Sequence, residues 1–518
     1  MRITISDSTR SFEKGNTVLD CLRGFDPKME ETALGAFFGG RVLGLNERLI
    51  EDCALVPITF EEDEGRRIYE RSLRLLLIAA LGVVFPGSRL RVDYSIGYGV
   101  YMKLLDRAVS DGDVMQLEMA MWGLCEEDCP YTIKEGTVSL KDVTRPFFGM
   151  VLPSTGRIRA FSLIPMDSGF VMQMPSPKNP SVPAPYLSRP KHLSVFNESQ
   201  EWCRILDTTC AEDLNRLQRE GKFREFIRVN EALHDKSIAA IADEIHANGR
   251  RCIFVAGPSS SGKTTFSNRL AVHLRVLGHR PLVVSMDDFF LNRDTYPVRE
   301  DGTADFEDIV CLDMPCFEKS MKQLLRCEET DLPKYDFHTG TRSKETHTVK
   351  LNAGDPVIVE GIHALNPIVS RGIDSKWVFK VYVSCLSCVN VDDENRVRTT
   401  DVRLLRRSVR DMLFRNTPPE QTMAGWQSVR AGEEKWIFPY QETADAMFNT
   451  SLHYELPFLK KHISKNLASI SPDDPNFVYV CRLKRILDSF DSLTEDVYNE
   501  VPPLSLMREF LGGCTFYV

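Results

Sequence analysis

Two glycines, a lysine and a threonine stand in Gly257-Pro258-Ser259-Ser260-Ser261-Gly262-Lys263-Thr264 at the spacing G-x-x-x-x-G-K-[ST]. Glycine lets the backbone curl tightly, so that successive N–H groups and the positive end of a following helix face anionic oxygens. In such a loop Lys263 reaches the β- and γ-phosphates and the Thr264 hydroxyl ligates Mg²⁺. The plain alternative is a Gly/Ser-rich turn. Asp287-Asp288 and Glu360 each follow a short apolar run. An acceptor hydroxyl needs a proton acceptor and Mg²⁺ needs oxygen ligands. Asp287 is therefore expected as base and acceptor-orienting group, and Glu360 as ligand of the metal or its water shell. Singly, each carboxylate reads as a helix cap or a solvated loop residue; their conjunction with the loop favours function. Arg403, Arg407 and Arg410 fall at i, i+4 and i+7, one helical face, with Arg406 neighbouring Arg410. Guanidinium forks on a movable segment can neutralise charge spreading over γ-oxygens. Alone, the same stretch reads equally as a solvated basic helix or a nucleic-acid patch.

These groups need elements to hold them. Cys252 to Ala256 reads as a buried strand leading straight into the loop, and Phe266 to Leu277 as the helix after it. Pro281 to Met286, Pro356 to Val359 and Val378 to Val383 read as further strands. The alternation predicts an α/β fold, a parallel sheet covered by helices, with ligands beyond the strands' carboxyl ends. Upstream, Phe223 to Asn248 has helical spacing and a stop at Asn248-Gly249. Met174 to Pro190 holds six prolines, which predicts a linker or extended wrap. Residues 1–60 open on an alternating strand and predict a small α+β unit. Residues 61–173 begin with a helical stretch, Ile68 to Val84, and predict a second α+β unit. The expected division is thus 1–60, 61–173, a connecting region 174–250, and 251–518.

The bulk numbers exclude several classes. With 43% hydrophobic and 26% charged residues over 518 positions, the chain has the composition of a globular protein. A net charge of −9 gives no general attraction to nucleic acid or anionic membrane. The apolar run Leu75 to Phe85 is eleven residues, short of the ~20 that a membrane span needs. Met1 to Asp7 has no apolar signal core, so a cytoplasmic protein is expected. Cys125/Cys129 and Cys385/Cys388 lack a second pair at zinc spacing and read as reduced, packed thiols.

Together these motifs resemble the uridine kinase/phosphoribulokinase family. Gly257 to Thr265 resembles that family's phosphate loop, implying ATP contacts from Gly257, Pro258, Ser259, Ser260, Ser261, Gly262, Lys263, Thr264 and Thr265. Ser285-Met286-Asp287-Asp288-Phe289-Phe290 resembles the segment whose first Asp is the catalytic base. Val359-Glu360-Gly361-Ile362 resembles the Glu-Gly-Ile element. Arg403 to Asp411 resembles the Arg-rich lid, implying Arg407 and Arg410 in catalysis and Arg403 and Arg406 at the nucleoside. Tyr335-Asp336-Phe337, then Arg342, resembles the nucleoside-binding stretch, and Asp305 falls where the family places a ribose-binding Asp. The resemblance implies ATP, Mg²⁺ and a nucleoside acceptor, uridine or cytidine. One departure stands out: the family's base-reading His corresponds to Gly340, with His338 two residues earlier.

Residues 1–60 resemble the small β-grasp (TGS) domain of threonyl-tRNA synthetases. Glu64 to Ser72, Phe85-Pro86-Gly87 and Gly97 to Tyr101 resemble their second additional domain. That domain's editing His-x-x-x-His pair corresponds to Arg71 and Leu75, so no zinc-dependent editing is expected. The three-part order, with Trp426 to Lys435 and Phe438 to Gln441, resembles a subgroup of long nucleoside kinases. Two other readings compete: a kinase of another small alcohol or sugar phosphate, and a nucleotide-gated RNA-binding protein. RNA binding by residues 1–173 and self-association are left open by the sequence.

Overall fold

A computed structural model describes residues 1–517 except 147, 299–304 and 337–338. The chain forms two compact units. One comprises Met1–Ser188, Val391–Arg396 and Asn466–Asp488; the other comprises Arg189–Asn390, Val397–Lys465 and Ser489–Val518. Among the described residues, no helix is long and apolar enough to cross a membrane.

The first unit has a small and a larger core. In the small one, the Thr17 hydroxyl accepts from the Asp20 N–H while the Asp20 carboxylate accepts from the Thr17 N–H, which starts helix Val18–Phe25. That helix buries Val18, Cys21 and Leu22 with Ile3 of the first strand. In the larger core, helix Asp63–Val84 packs Ile68, Leu73 and Leu77 with an antiparallel sheet. Its strands run in the order Ser162–Met166, Gly169–Gln173, Gly99–Leu104, Leu90–Ile96. Arg71, at the position that corresponds to a synthetase histidine, donates to Glu64 at 2.6 Å and to the Met150 carbonyl at 2.9 Å. Segment Val391–Arg396 is tied into this unit by Asp393, 3.2 Å from Arg91, and by Glu394, 2.6 Å from Arg145. The proline-rich stretch carries more order than its composition predicts. Pro175–Ser176 and Asn179–Pro183 pair antiparallel as a two-stranded ribbon with a register shift. A ribbon with open edges tolerates residues that lack an N–H donor.

In the second unit, the described residues form a five-stranded parallel sheet: β1 (Cys252–Ala256), β2 (Leu282–Ser285), β3 (Val357–Glu360), β4 (Val378–Ser384) and β5 (Ala446–Asn449). The order is β2-β3-β1-β4-β5. Strands β1 and β3 are buried at every position, the mark of strands covered on both faces. Helices α1 (Pro190–Ile205), α2 (Phe223–Ala247), α3 (Lys263–Val276), α4 (Thr399–Phe414), α5 (Trp426–Trp436) and α6 (Arg508–Leu511) belong to this unit. The expected stop of α2 is there: Asn248 caps it and Gly249 takes φ +60°.

Candidate active site

The loop after β1 is shaped by sterics at its two glycines. A Cβ on Gly257 would collide with the Val383 carbonyl oxygen of β4, so the chain can pass there only without a side chain. Gly262 takes φ +84° at the start of α3, a conformation that L side chains rarely adopt. The α3 N-terminus thereby opens toward the loop, with the Lys263 Nζ 3.4 Å from the Pro258 carbonyl. Register then aligns the strand ends. Glu360 at the tip of β3 pairs with Ser285 of β2 and Val255 of β1. Its Oε1 accepts from the Ser285 hydroxyl at 2.8 Å and from the Thr264 hydroxyl at 3.4 Å. Asp287 lies in the 3₁₀ turn Met286–Phe289 directly after β2. Its neighbour Asp288 turns away and accepts from the Tyr335 N–H at 3.3 Å.

These groups share one cleft of about 440 Å³, whose lining includes Lys263, Thr264, Asp287, Glu360, Arg407 and Arg410. Burial pushes the Asp287 carboxyl up, while Lys263, Arg415 and Arg410 pull it down. Burial and then the charge of Asp287 push Glu360 up. A buried carboxylate raised by the charge of a second one, beside a threonine hydroxyl, forms an oxygen donor set that a hard divalent cation would relieve. Thr264 and Glu360 thus fit Mg²⁺. The far end of the cleft is aromatic. Phe290, Tyr296, Phe306 and Tyr335 line it, with the Tyr296 and Tyr335 hydroxyls 3.2 Å apart and the Phe290 and Tyr335 rings 5.7 Å apart.

The arginine helix divides its residues. The Arg407 Nη1 donates to the Ser259 hydroxyl at 2.8 Å, and Arg410 to Asp411 at 2.8 Å, both on the cleft wall. The expectation that Arg403 and Arg406 touch the nucleoside is corrected. Arg403 is 1% exposed, ion-paired with Glu433 of α5, and donates through Nε to the Ser259 carbonyl at 2.9 Å. Arg406 is fully buried, bonded to Glu455 at 2.6 Å and to the Thr450 carbonyl at 2.9 Å. A guanidinium that deep needs a carboxylate partner, and each has one. They brace the loop from behind. Arg342 pairs with Asp313 at 2.8 Å, and Asp305 accepts from the Glu307 N–H at 3.3 Å; neither lines the cleft. Thr265 lies beneath the loop, its hydroxyl donating to Glu509 of α6 at 2.7 Å. Phe337 and His338 lie outside the described residues.

The cleft also holds groups that no motif announced: Arg293, Glu307, Arg415 and Glu509. Burial lifts the Glu307 carboxyl to about 7, against the opposing pull of Arg407. Gly340 takes φ +69°, and a Cβ there would stand 2.5 Å from Cδ of Arg293. The Arg293 stem therefore occupies the space that a side chain at position 340 would enter.

The model of the phosphoribulokinase/uridine kinase family matches residues 252–455. A uridine kinase of Bacillus pumilus is 30% identical over 194 residues, which is 37% of this chain and 83% of that protein. One of Lactobacillus helveticus is 32% identical over 194 residues, with the same coverage of 37% and 83%. In the N-terminal region, a threonine–tRNA ligase of Natranaerobius thermophilus is 31% identical over 132 residues, 25% of this chain. The chain spans only 21% of that ligase's length. Among solved structures, one titled as a possible uridine kinase from Bacillus stearothermophilus shares 23% identity, covers 41% of this chain and 98% of its own, and has a TM-score of 0.29.

Proposed function

This chain belongs to the phosphoribulokinase/uridine kinase family, and from that premise we propose that it transfers the γ-phosphoryl group of ATP to the 5′-hydroxyl of a nucleoside, uridine or cytidine. The observation that carries the reading is the one cleft that brings Lys263, Asp287 and Glu360 together with the aromatic side chains Phe290, Tyr296, Phe306 and Tyr335. In this reading the loop from Gly257 to Thr265 wraps the phosphates, and Lys263 neutralises the β- and γ-oxygens. Bound through Thr264 and Glu360, Mg²⁺ would screen the phosphate charge. Asp287 accepts the proton of the attacking hydroxyl at a carboxylate oxygen; its raised affinity for protons suits that task. Arg407 and Arg410 face the transferring group. Tyr335 and Phe290 hold the base by ring contact, and Arg293 supplies polar contacts at the position left by Gly340. Residues 1–60 and 61–173 are assigned as synthetase-like modules attached to the kinase.

A second reading draws support from the cations Arg293 and Arg415, which would suit an anionic acceptor such as a sugar phosphate. An acceptor panel with radiolabelled ATP separates the two. Phosphorylation of uridine or cytidine is expected. Phosphorylation of a sugar phosphate with no turnover of any nucleoside would overturn the first reading.

A further inference from the structure

The stretch Trp426 to Lys435 forms nearly all of α5, and among the described residues none of it lines the cleft. It packs instead on a segment that does. Gly432 is buried, and a Cβ there would collide with Cβ of Glu307 and stand 2.6 Å from its Cγ. A Cβ cannot swing aside as the end of a side chain can, so an added methyl must move the chain at position 307. The φ of Gly432 is not positive. Glycine therefore serves close approach here, at a helical position where alanine is the better helix former. Lys435 follows at i+3 on the same helical face. Its Nζ donates to Oδ2 of Asp308, the residue after Glu307, at 3.1 Å. The Oδ1 atom of Asp308 accepts from the Val310 N–H at 3.1 Å and so caps the short turn Ile309–Cys311.

Helix α5 is itself anchored. Its Glu433 makes the buried ion pair with Arg403, whose Nε holds the Ser259 carbonyl of the phosphate loop. The segment that α5 supports presents Phe306 and Glu307 to the cleft. Phe306 is 49% exposed, and its ring stands 5.8 Å from that of Tyr296 at the aromatic end. A shift of the chain at 307 therefore changes the width of that end, while Lys263 and Thr264 on α3 stay where they are.

We propose that α5 is the rear support of the acceptor-side wall, and that Gly432 and Lys435 are positioning residues that set how far Phe306 and Glu307 reach into the cleft. The proposal rests on the kinase reading above, in which the acceptor occupies the aromatic end. Neither residue touches substrate; both act through the segment they hold, on the fit of the acceptor and not on the grip on ATP.

The test uses the full chain with uridine as acceptor. Gly432→Ala should raise the uridine KM about ten-fold or more, while the Kd of a non-hydrolysable ATP analogue, read by calorimetry, stays within about two-fold. Lys435→Met should raise the uridine KM about three- to five-fold, and Lys435→Arg, which keeps the tie to Asp308, should restore it. Lys435 is exposed, so Lys435→Met should melt with the wild type, and a merely structural role would leave its KM unchanged. This variant also keeps the proposal testable should Gly432→Ala fail to fold. A crystal structure of Gly432→Ala should show Phe306 and Glu307 displaced into the cleft. A uridine KM unaltered in both variants, or equal losses for uridine and the analogue, overturns the positioning role. A wild-type chain that turns over no uridine refutes the nucleoside reading instead. The crystal structure then decides the support, and an unmoved Phe306–Glu307 segment overturns it.

Discussion

Glu433→Ala should destabilise the second unit far more than a typical single substitution. Arg403 is 1% exposed and makes three hydrogen bonds: two to the Glu433 carboxylate through its terminal nitrogens and one to the Ser259 carbonyl through Nε. Truncating Glu433 leaves a buried guanidinium with one carbonyl. Breaking a buried pair from one side costs about 3–5 kcal/mol, because the orphaned charge remains in low dielectric. Arg430, 2.6 Å from the same carboxylate, loses a partner too, but it is partly exposed and recovers water. The unit has roughly 300 residues. At ~2.1 cal/mol/K of unfolding entropy per residue, the loss converts to a drop of about 5–8 °C. The assay is calorimetry of the full chain, reading the transition that an ATP analogue raises. The double variant Arg403→Met with Glu433→Leu should recover most of the stability, since an apolar pair of similar volume avoids the desolvation cost. It should still bind the analogue more weakly, because the Ser259 carbonyl has lost its Nε donor. A Glu433→Ala protein within about 1 kcal/mol of wild type would refute the bracing role of the pair.

Asp287→Asn should lower kcat by about 10²–10⁴-fold while the ATP analogue binds as before; unchanged turnover removes Asp287 from the chemistry. Glu307 titrates near 7 when folded against an ordinary 4.5, so its ionisation opposes folding. The unfolded chain binds fewer protons between those values, and stability falls as pH rises from about 4.5 to 7. Glu307→Gln should flatten that part of the melting temperature–pH curve, and an unaltered slope would contradict the assignment. Arg293→Ala should raise the acceptor KM about ten-fold or more and leave the ATP KM in place, as loss of a charged hydrogen bond to the base end implies. Equal effects on both substrates would move Arg293 out of base recognition.

The sheet and the loop were readable because their signals are local. Three of the parallel strands open on unbroken apolar runs and a fourth is interrupted only by Lys380, and the loop follows its strand without a gap, so the neighbourhood of Asp287 and Glu360 at strand tips followed from order alone. Helix α4 was equally plain, but not the direction of its arginines. A face of cations says nothing of which one meets an acid from far along the chain. Glu433 and Glu455 stand 30 and 49 residues beyond Arg403 and Arg406, and no spacing rule reaches that distance. The same reason hid Arg293, Glu307 and Glu509, which enter the cleft from segments without a motif. The proline-rich stretch misled in the opposite sense. Proline density argued against pairing, yet a ribbon of two short strands asks for few donors.

Glu509 also bears on how small a working piece of this protein can be cut. It lies more than fifty positions past the last family-matched residue, yet its carboxylate takes both the amide and the hydroxyl protons of Thr265, in the first turn of α3. Tyr454 and Ser505 likewise meet on Glu231 of α2, which precedes the match. An excised fragment spanning 252–455 would strip the phosphate loop's helix of its acid and leave Tyr454 facing empty space. The minimal autonomous catalyst must therefore retain sequence on both flanks of the recognisable core.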